Sequence, residues 1–145
     1  MPYSVLIALG TNLGDRLLNL RHAIDALAPY VRVVRMSTVI ETDAVDAPRG
    51  SPRFLNMVIA GHTSLSPDAL LDRLLEIETS LGRRRTSVRN APRIIDLDLI
   101  LHSAHRVRTS KLTLPHPRFR GREFVMRPVR ELGLGWAALE PGATH

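Results

Sequence analysis

Arg89-Asn90-Ala91-Pro92-Arg93-Ile94-Ile95-Asp96-Leu97-Asp98-Leu99-Ile100-Leu101 is the stretch from which both fold and chemistry can be read. From Ile94 to Leu101 it has the β-branched and aliphatic content of a strand, uninterrupted by Gly or Pro. Successive strand side chains point to opposite faces. Ile95, Leu97, Leu99 and Leu101 therefore share one face, and Ile94, Asp96, Asp98 and Ile100 the other. Two carboxylates thus stand on one side of an apolar strand, roughly 7 Å apart at their Cα atoms. Charge in such a setting is costly without compensation, and neighbouring like charges raise each other's pKa. The pair needs a cation, either a metal ion or an arginine. Magnesium suits it, because magnesium takes one or two protein carboxylates and completes its shell with substrate phosphates. The bland alternative is an acidic pair held by Arg93 or by solvent on an open sheet face.

Charge elsewhere in the chain favours an anionic ligand. Residues 1–82 hold seven arginines against nine acids, whereas residues 83–130 hold thirteen basic residues against three acids. The overall charge of +6 is thus concentrated around the Asp-x-Asp strand, where it would attract a polyanion. The 145 residues fit one domain spanning 1–145, and 44% hydrophobic and 23% charged residues are ordinary for a globular protein. No apolar run approaches the roughly 20 residues of a membrane span. Met1-Pro2-Tyr3-Ser4 lacks a basic, signal-like opening. Absence of cysteine excludes disulfides and Cys-based zinc sites, so a cytoplasmic location is expected.

Outward from the acidic strand, the remaining elements fall into a regular order. Tyr3–Leu9 reads as a buried strand, and 10–15 as a turn rich in helix-capping residues. Leu13, Leu17, Leu20, Ile24 and Leu27 recur at helical spacing up to Pro29. Gly10 and Gly14 match neither the P-loop nor the dinucleotide fingerprint, so a plain strand–helix turn is the simpler reading. Val31–Thr42 reads as one long strand, Asp43–Pro52 as a loop long enough for a mobile lid or a binding loop, and Phe54–His62 as a third strand. On that strand Phe54 and Asn56 share a face; they suit a flat heteroaromatic ligand, or simply a core Phe beside a surface Asn. Ser66 caps a second helix with Pro67 at its first position and a stripe of Leu70, Leu74, Ile77 and Leu81. Glu78 lies beside that stripe, either partly buried and in want of a cationic partner or, the commoner outcome, exposed. Gly82 ends the helix, a basic loop covers 83–90, and a short helix is plausible before Leu132. The order strand–helix–strand–strand–helix–strand predicts an α+β, ferredoxin-like split β-α-β sandwich. Its sheet would be mostly antiparallel, with helices on one face, the other free for ligand, and long active-site loops.

Arg89-x-Ala91-Pro92-Arg93-x-x-Asp96-Leu97-Asp98-Leu99-Ile100 resembles the signature of the hydroxymethyl-dihydropterin pyrophosphokinases of folate biosynthesis. The resemblance extends to Leu9–Asp15, Phe54-Leu55-Asn56, Gly82-Arg83-x-Arg85 and Leu114-Pro115-His116, in the family's order from residue 3 to about 130. It implies transfer of a diphosphoryl group from ATP to the substrate's hydroxymethyl oxygen, with release of AMP. By resemblance Asp96 and Asp98 bind two magnesium ions that bridge ATP phosphates. Arg83, Arg85, Arg93, Lys111, Thr113, His116 and Arg122 contact ATP, with Arg83 and Arg93 also catalytic. Phe54 and Phe124 sandwich the pterin, Asn56 hydrogen-bonds it, and Thr42 and Val45 supply backbone contacts. Asn90, Thr86 and Pro117 depart from the family pattern at positions that are often aromatic, basic and aromatic.

The implied protein is a monomer acting on small molecules, with no nucleic-acid or membrane partner. Two rivals share the architecture. A two-metal nucleotidyl transferase or cyclase would release pyrophosphate rather than AMP. An RNA-binding module would stack bases on aromatics of the central strands, whereas this chain has six aromatics and places carboxylates there.

Overall fold

The computed structural model describes residues 2–44, 48–82, 94–103, 105–116, 126–127 and 130. Among these residues the order is β1 (Tyr3–Thr11), α1 (Arg16–Leu27), β2 (Arg32–Met36), β3 (Ile40–Thr42), β4 (Phe54–Thr63), α2 (Pro67–Ser80), β5 (Asp96–His102), β6 (Val107–Arg108) and β7 (Thr113–Leu114). The main sheet runs β2-β4-β1-β5, with β3 also on β4, and every pairing is antiparallel. That is the split β-α-β topology read from the sequence.

Side-chain alternation sorts the sheet into two faces. Val5, Ile7 and Leu9 of β1, Met57 and Ile59 of β4, and Leu97 and Leu99 of β5 meet Leu20, Ala23 and Leu27 of α1 and Leu70, Leu74 and Ile77 of α2 in one core. The opposite face is not free along its whole length. Leu6, Ala8, Val58, Ala60 and Ile100 are buried at its centre. Phe54, Asp96 and Asp98, at the β5 start and the β4 start, are half-buried.

Three expectations from periodicity are corrected. Val31–Thr42 is two strands, because Ser37 interrupts the ladder: its N–H donates to Val58 O at 3.0 Å, but its hydroxyl, in place of a backbone carbonyl, accepts from Val58 N at 2.9 Å. Leu13 and Leu17 are 44% and 64% exposed, so the buried stripe of α1 is Leu20-Ala23-Leu27. The helix starts only at Arg16, where Asp15 accepts from Leu18 N, and Leu13 precedes the cap. Gly10 and Thr11 belong to β1 rather than to the turn, which begins at Asn12. The second helix follows its sequence signals, with Ser66 accepting from Ala69 N and Pro67 in the first turn. Met126, Arg127 and Arg130 carry helical geometry before Leu132.

The far end of β5 closes on His102, which is fully buried. Its Nε2 donates to Leu65 O at 2.8 Å, so in the neutral ring Nδ1 is the acceptor facing His105 Nδ1 at 3.0 Å. Burial lowers the His102 pKa, and the neighbouring His105 acts in the same direction. The folded state therefore resists a proton that the unfolded chain accepts below the ordinary histidine value of about 6.5. Above that pH both states are neutral and His102 contributes no pH dependence. Thermal denaturation should show stability falling as pH drops from about 6.5 towards 5, and His102→Gln should flatten that slope relative to wild type.

Candidate active site

Register builds the site. Gly10 of β1 lies opposite Asn56 of β4 on one side and Asp96 of β5 on the other, so all three share one row and one face. One row further, Ala8 lies opposite Val58 and Asp98. Neighbouring strands are about 4.8 Å apart, which puts Asn56 and Asp96 roughly 10 Å from each other across Gly10. A Cβ at Gly10 would approach Asn56 Oδ1 to 3.1 Å and the Phe54 ring to 3.5 Å. Asn56 and the Phe54 ring therefore close over Gly10, a near approach that a side chain there would crowd, and the positional meaning of a glycine inside a strand.

At the β4 end of this row, Thr42 is the cross-strand partner of Phe54, and Asn56 Nδ2 donates to Thr42 Oγ1 at 2.7 Å. Asn56 is 7% exposed and Phe54 half-buried, so a core Phe beside a surface Asn does not describe them. The result is a shelf with an aromatic face, a fixed amide and a hydroxyl.

At the other end, the outer edge of β5 borders a cleft of about 260 Å³ lined by Asp98, Lys111, Thr113 and His116 together with Leu71, Leu97 and Leu99. The segment carrying these polar groups is held against β5 by His116 N donating to Ile100 O at 2.9 Å. Lys111 Nζ sits 2.6 Å from Asp72 Oδ1 on α2. Their hydrogen bond, the largest cause, lowers the Asp72 pKa and raises that of Lys111, so both stay charged. The acid pair therefore joins two half-sites: Asp96 adjoins the shelf and Asp98 adjoins the cleft. Val45, Arg83, Arg85, Arg93, Arg122 and Phe124 lie outside the described residues, as do Thr86, Asn90 and Pro117.

The donor set fits magnesium. It consists of two hard carboxylate oxygen groups on a half-buried face beside a side-chain-free glycine. Among the described residues no group of three or more His, Cys, Asp or Glu is placed to hold a metal. A cation here would take its remaining ligands from water or phosphate.

Glu78 is the residue that sequence reasoning placed wrongly. It is 4% exposed, and its Oε2 accepts from Leu97 N at 2.8 Å. Leu97 separates the two acids, and among the described strands β5 has no ladder partner on this edge, so the carboxylate from α2 satisfies a backbone donor that the sheet leaves over. The available signal was a carboxylate four residues after Leu74 on the apolar stripe. Glu78→Ala should cost about 1–3 kcal/mol by leaving that donor unsatisfied, with faster amide exchange at Leu97, and Glu78→Gln should cost less. Urea unfolding with hydrogen exchange measures both.

Comparison with known proteins gives one consistent answer. Residues 6–133 match the family model described as 7,8-dihydro-6-hydroxymethylpterin-pyrophosphokinase. The chain is 42% identical over 128 residues to the 2-amino-4-hydroxy-6-hydroxymethyldihydropteridine pyrophosphokinase of Bacillus subtilis, covering 87% of this chain and 75% of that one. It is 40% identical over 129 residues to a folate synthesis bifunctional protein of Arabidopsis thaliana, covering 88% of this chain but 26% of that protein. The fold aligns with the Plasmodium falciparum HPPK-DHPS crystal structure at a TM-score of 0.64 and 13% identity, over 90% of this chain and 40% of that chain.

Proposed function

Because the chain belongs to the 7,8-dihydro-6-hydroxymethylpterin-pyrophosphokinase family, whose reaction is pyrophosphoryl transfer from ATP to hydroxymethyldihydropterin in folate biosynthesis, we propose a division of labour across the site. The observation that carries it is the placement of Asp96 and Asp98 between an aromatic–amide shelf and a polar cleft. In this reading the shelf takes 6-hydroxymethyl-7,8-dihydropterin and the cleft takes ATP. The products are the pterin diphosphate and AMP.

Phe54 stacks on the pterin with Phe124, Asn56 reads its polar edge, and Thr42 and Val45 offer backbone contacts. Lys111, Thr113 and His116 bind ATP from the cleft, joined by Arg83, Arg85, Arg93 and Arg122. Asp96 and Asp98 would hold two magnesium ions, which would supply charge neutralisation for the phosphates. The rest of the work is placement: phosphoryl-type transfer needs in-line alignment and charge compensation more than covalent assistance. Arginine is suited to this because its planar fork grips phosphate through two bonds. Arg83 and Arg93 supply positive charge to the transferring group.

The proposal treats residues 1–145 as one pyrophosphokinase domain, a cytoplasmic monomer working on small molecules without nucleic acid. It is supported by the match of the family model over residues 6–133 and by carboxylates where an RNA-binding sheet would carry aromatics. Among the described residues no helix is long and apolar enough to cross a membrane.

Labelled ATP incubated with the pterin should yield AMP, and pyrophosphate as the product would overturn the assignment. Asp96→Ala and Asp98→Ala should each lower turnover by at least roughly a thousandfold, because several kcal/mol of charge stabilisation leave with the metal. Pterin binding, measured by calorimetry, should change far less.

A further inference from the structure

Behind the shelf, on the other side of the β3–β4 pair, lies a group of charges that the reaction itself does not use. Glu41 alternates with Thr42 on β3, so its side chain leaves from the opposite face and reaches towards the start of α1. Both carboxylate oxygens are engaged: Oε2 lies 2.8 Å from Arg16 NH1, and Oε1 lies 2.8 Å from Arg53 NH1. Arg16 NH1 also donates to the backbone carbonyl of Arg53 at 2.8 Å, and Arg53 Nε pairs with Asp43 Oδ1 at 3.0 Å. Beside them the buried Asn12 donates from Nδ2 to Pro52 O at 3.1 Å.

These bonds tie together three pieces of chain that are distant in sequence. One is the turn entering α1, one the strand leading into the Asp43–Pro52 loop, and one the strand leaving it. They converge where register sets Thr42 directly opposite Phe54. A single exposed ion pair contributes little. Here, however, one carboxylate is gripped on both oxygens by two guanidinium groups, and one of those also holds backbone, which fixes direction as well as proximity. β3 is three residues long and pairs only with β4 among the described strands. Its position therefore depends on such side-chain ties more than that of β1 or β4 does.

We infer that Arg16, acting through Glu41 and the Arg53 carbonyl, is a positioning residue for the ring-binding pair Thr42 and Phe54. It sets affinity for the pterin from the far side of the strands without touching it. The inference rests on the reading of the shelf as the pterin site.

The experiment uses the full chain as wild type, Arg16→Ala, Arg16→Lys and Glu41→Gln. KM is measured for each substrate, pterin binding by calorimetry, and Tm by thermal denaturation. Arg16→Ala should raise the pterin KM and Kd roughly tenfold, as expected for displacement of a binding group by a fraction of an ångström. The KM for ATP should stay within about twofold. Arg16→Lys should recover part of the loss, since an ammonium can still reach both Glu41 and the Arg53 carbonyl. Glu41→Gln should shift pterin affinity in the same direction as Arg16→Ala. A lower Tm with pterin affinity unchanged in Arg16→Ala would show a merely structural tie and overturn the role. If Arg16→Ala does not fold, the near-isosteric Glu41→Gln decides, and unchanged pterin affinity there overturns it equally. Wild type that makes no AMP from ATP and the pterin would sink the reading of the shelf itself, whereas an active wild type with unaltered variants sinks only the positioning role.

Discussion

The pairing of β5 with β1 in the register that sets Asp96 against Gly10 is the constraint on which the site depends. A strand's side chains alternate with a period of two, so a slip of one residue would send Asp96 and Asp98 into the helix-facing core and bring Leu97 and Leu99 out. That slip would bury two charges and expose two leucines, each unfavourable on its own. The hydrophobic pattern that folds the sheet is thus the same pattern that delivers both acids to the face opposite the helices. Glu78 reinforces it by occupying the Leu97 N–H on the outer edge of β5. Chemistry and stability are not separable in this strand.

This coupling explains why so much of the fold was legible. Where a stripe faces the core, sequence periodicity and structure agree, as with Leu70, Leu74 and Ile77 under a Ser66–Pro67 start. Where polar groups replace the backbone ladder, periodicity misleads. Ser37 is an ordinary residue in a β-rich run, and nothing local shows that its hydroxyl will take over a strand acceptor and split the strand. Leu13 and Leu17 keep helical spacing with Leu20 yet remain exposed, because the Asp15 cap starts the helix after Leu13 and the core begins a turn later.

The candidate site shows the same division. Asp96 and Asp98 were readable because alternation alone puts two like charges on one face, an arrangement that needs a cation. Phe54 and Asn56 were ambiguous until the register linked them through Gly10 to the acids and through Thr42 to β3. Gly10 itself looked like part of a turn. Its role in letting Asn56 and the Phe54 ring approach closely depends on what stands on the neighbouring strands, which no local pattern encodes. Glu78 was legible as a polar residue on an apolar stripe, but its partner is a backbone N–H nineteen residues later, and only tertiary structure supplies that.

Charge distribution then links the two half-sites. A triphosphate is drawn to the strongly basic second half of the chain, but in the proposed site its phosphates would rest beside two carboxylates that repel them. Arginines alone would lessen that repulsion without giving the acids a purpose, and a sheet built only to hold anions would do better without them. Acids facing the phosphates make physical sense when divalent cations lie between, because each ion is attracted to both sides and turns two repulsions into a bridge. The half-buried setting of Asp96 and Asp98 strengthens that attraction relative to bulk water. In the proposed site the shelf beyond Gly10 would hold the acceptor on the Asp96 side of the same acid pair.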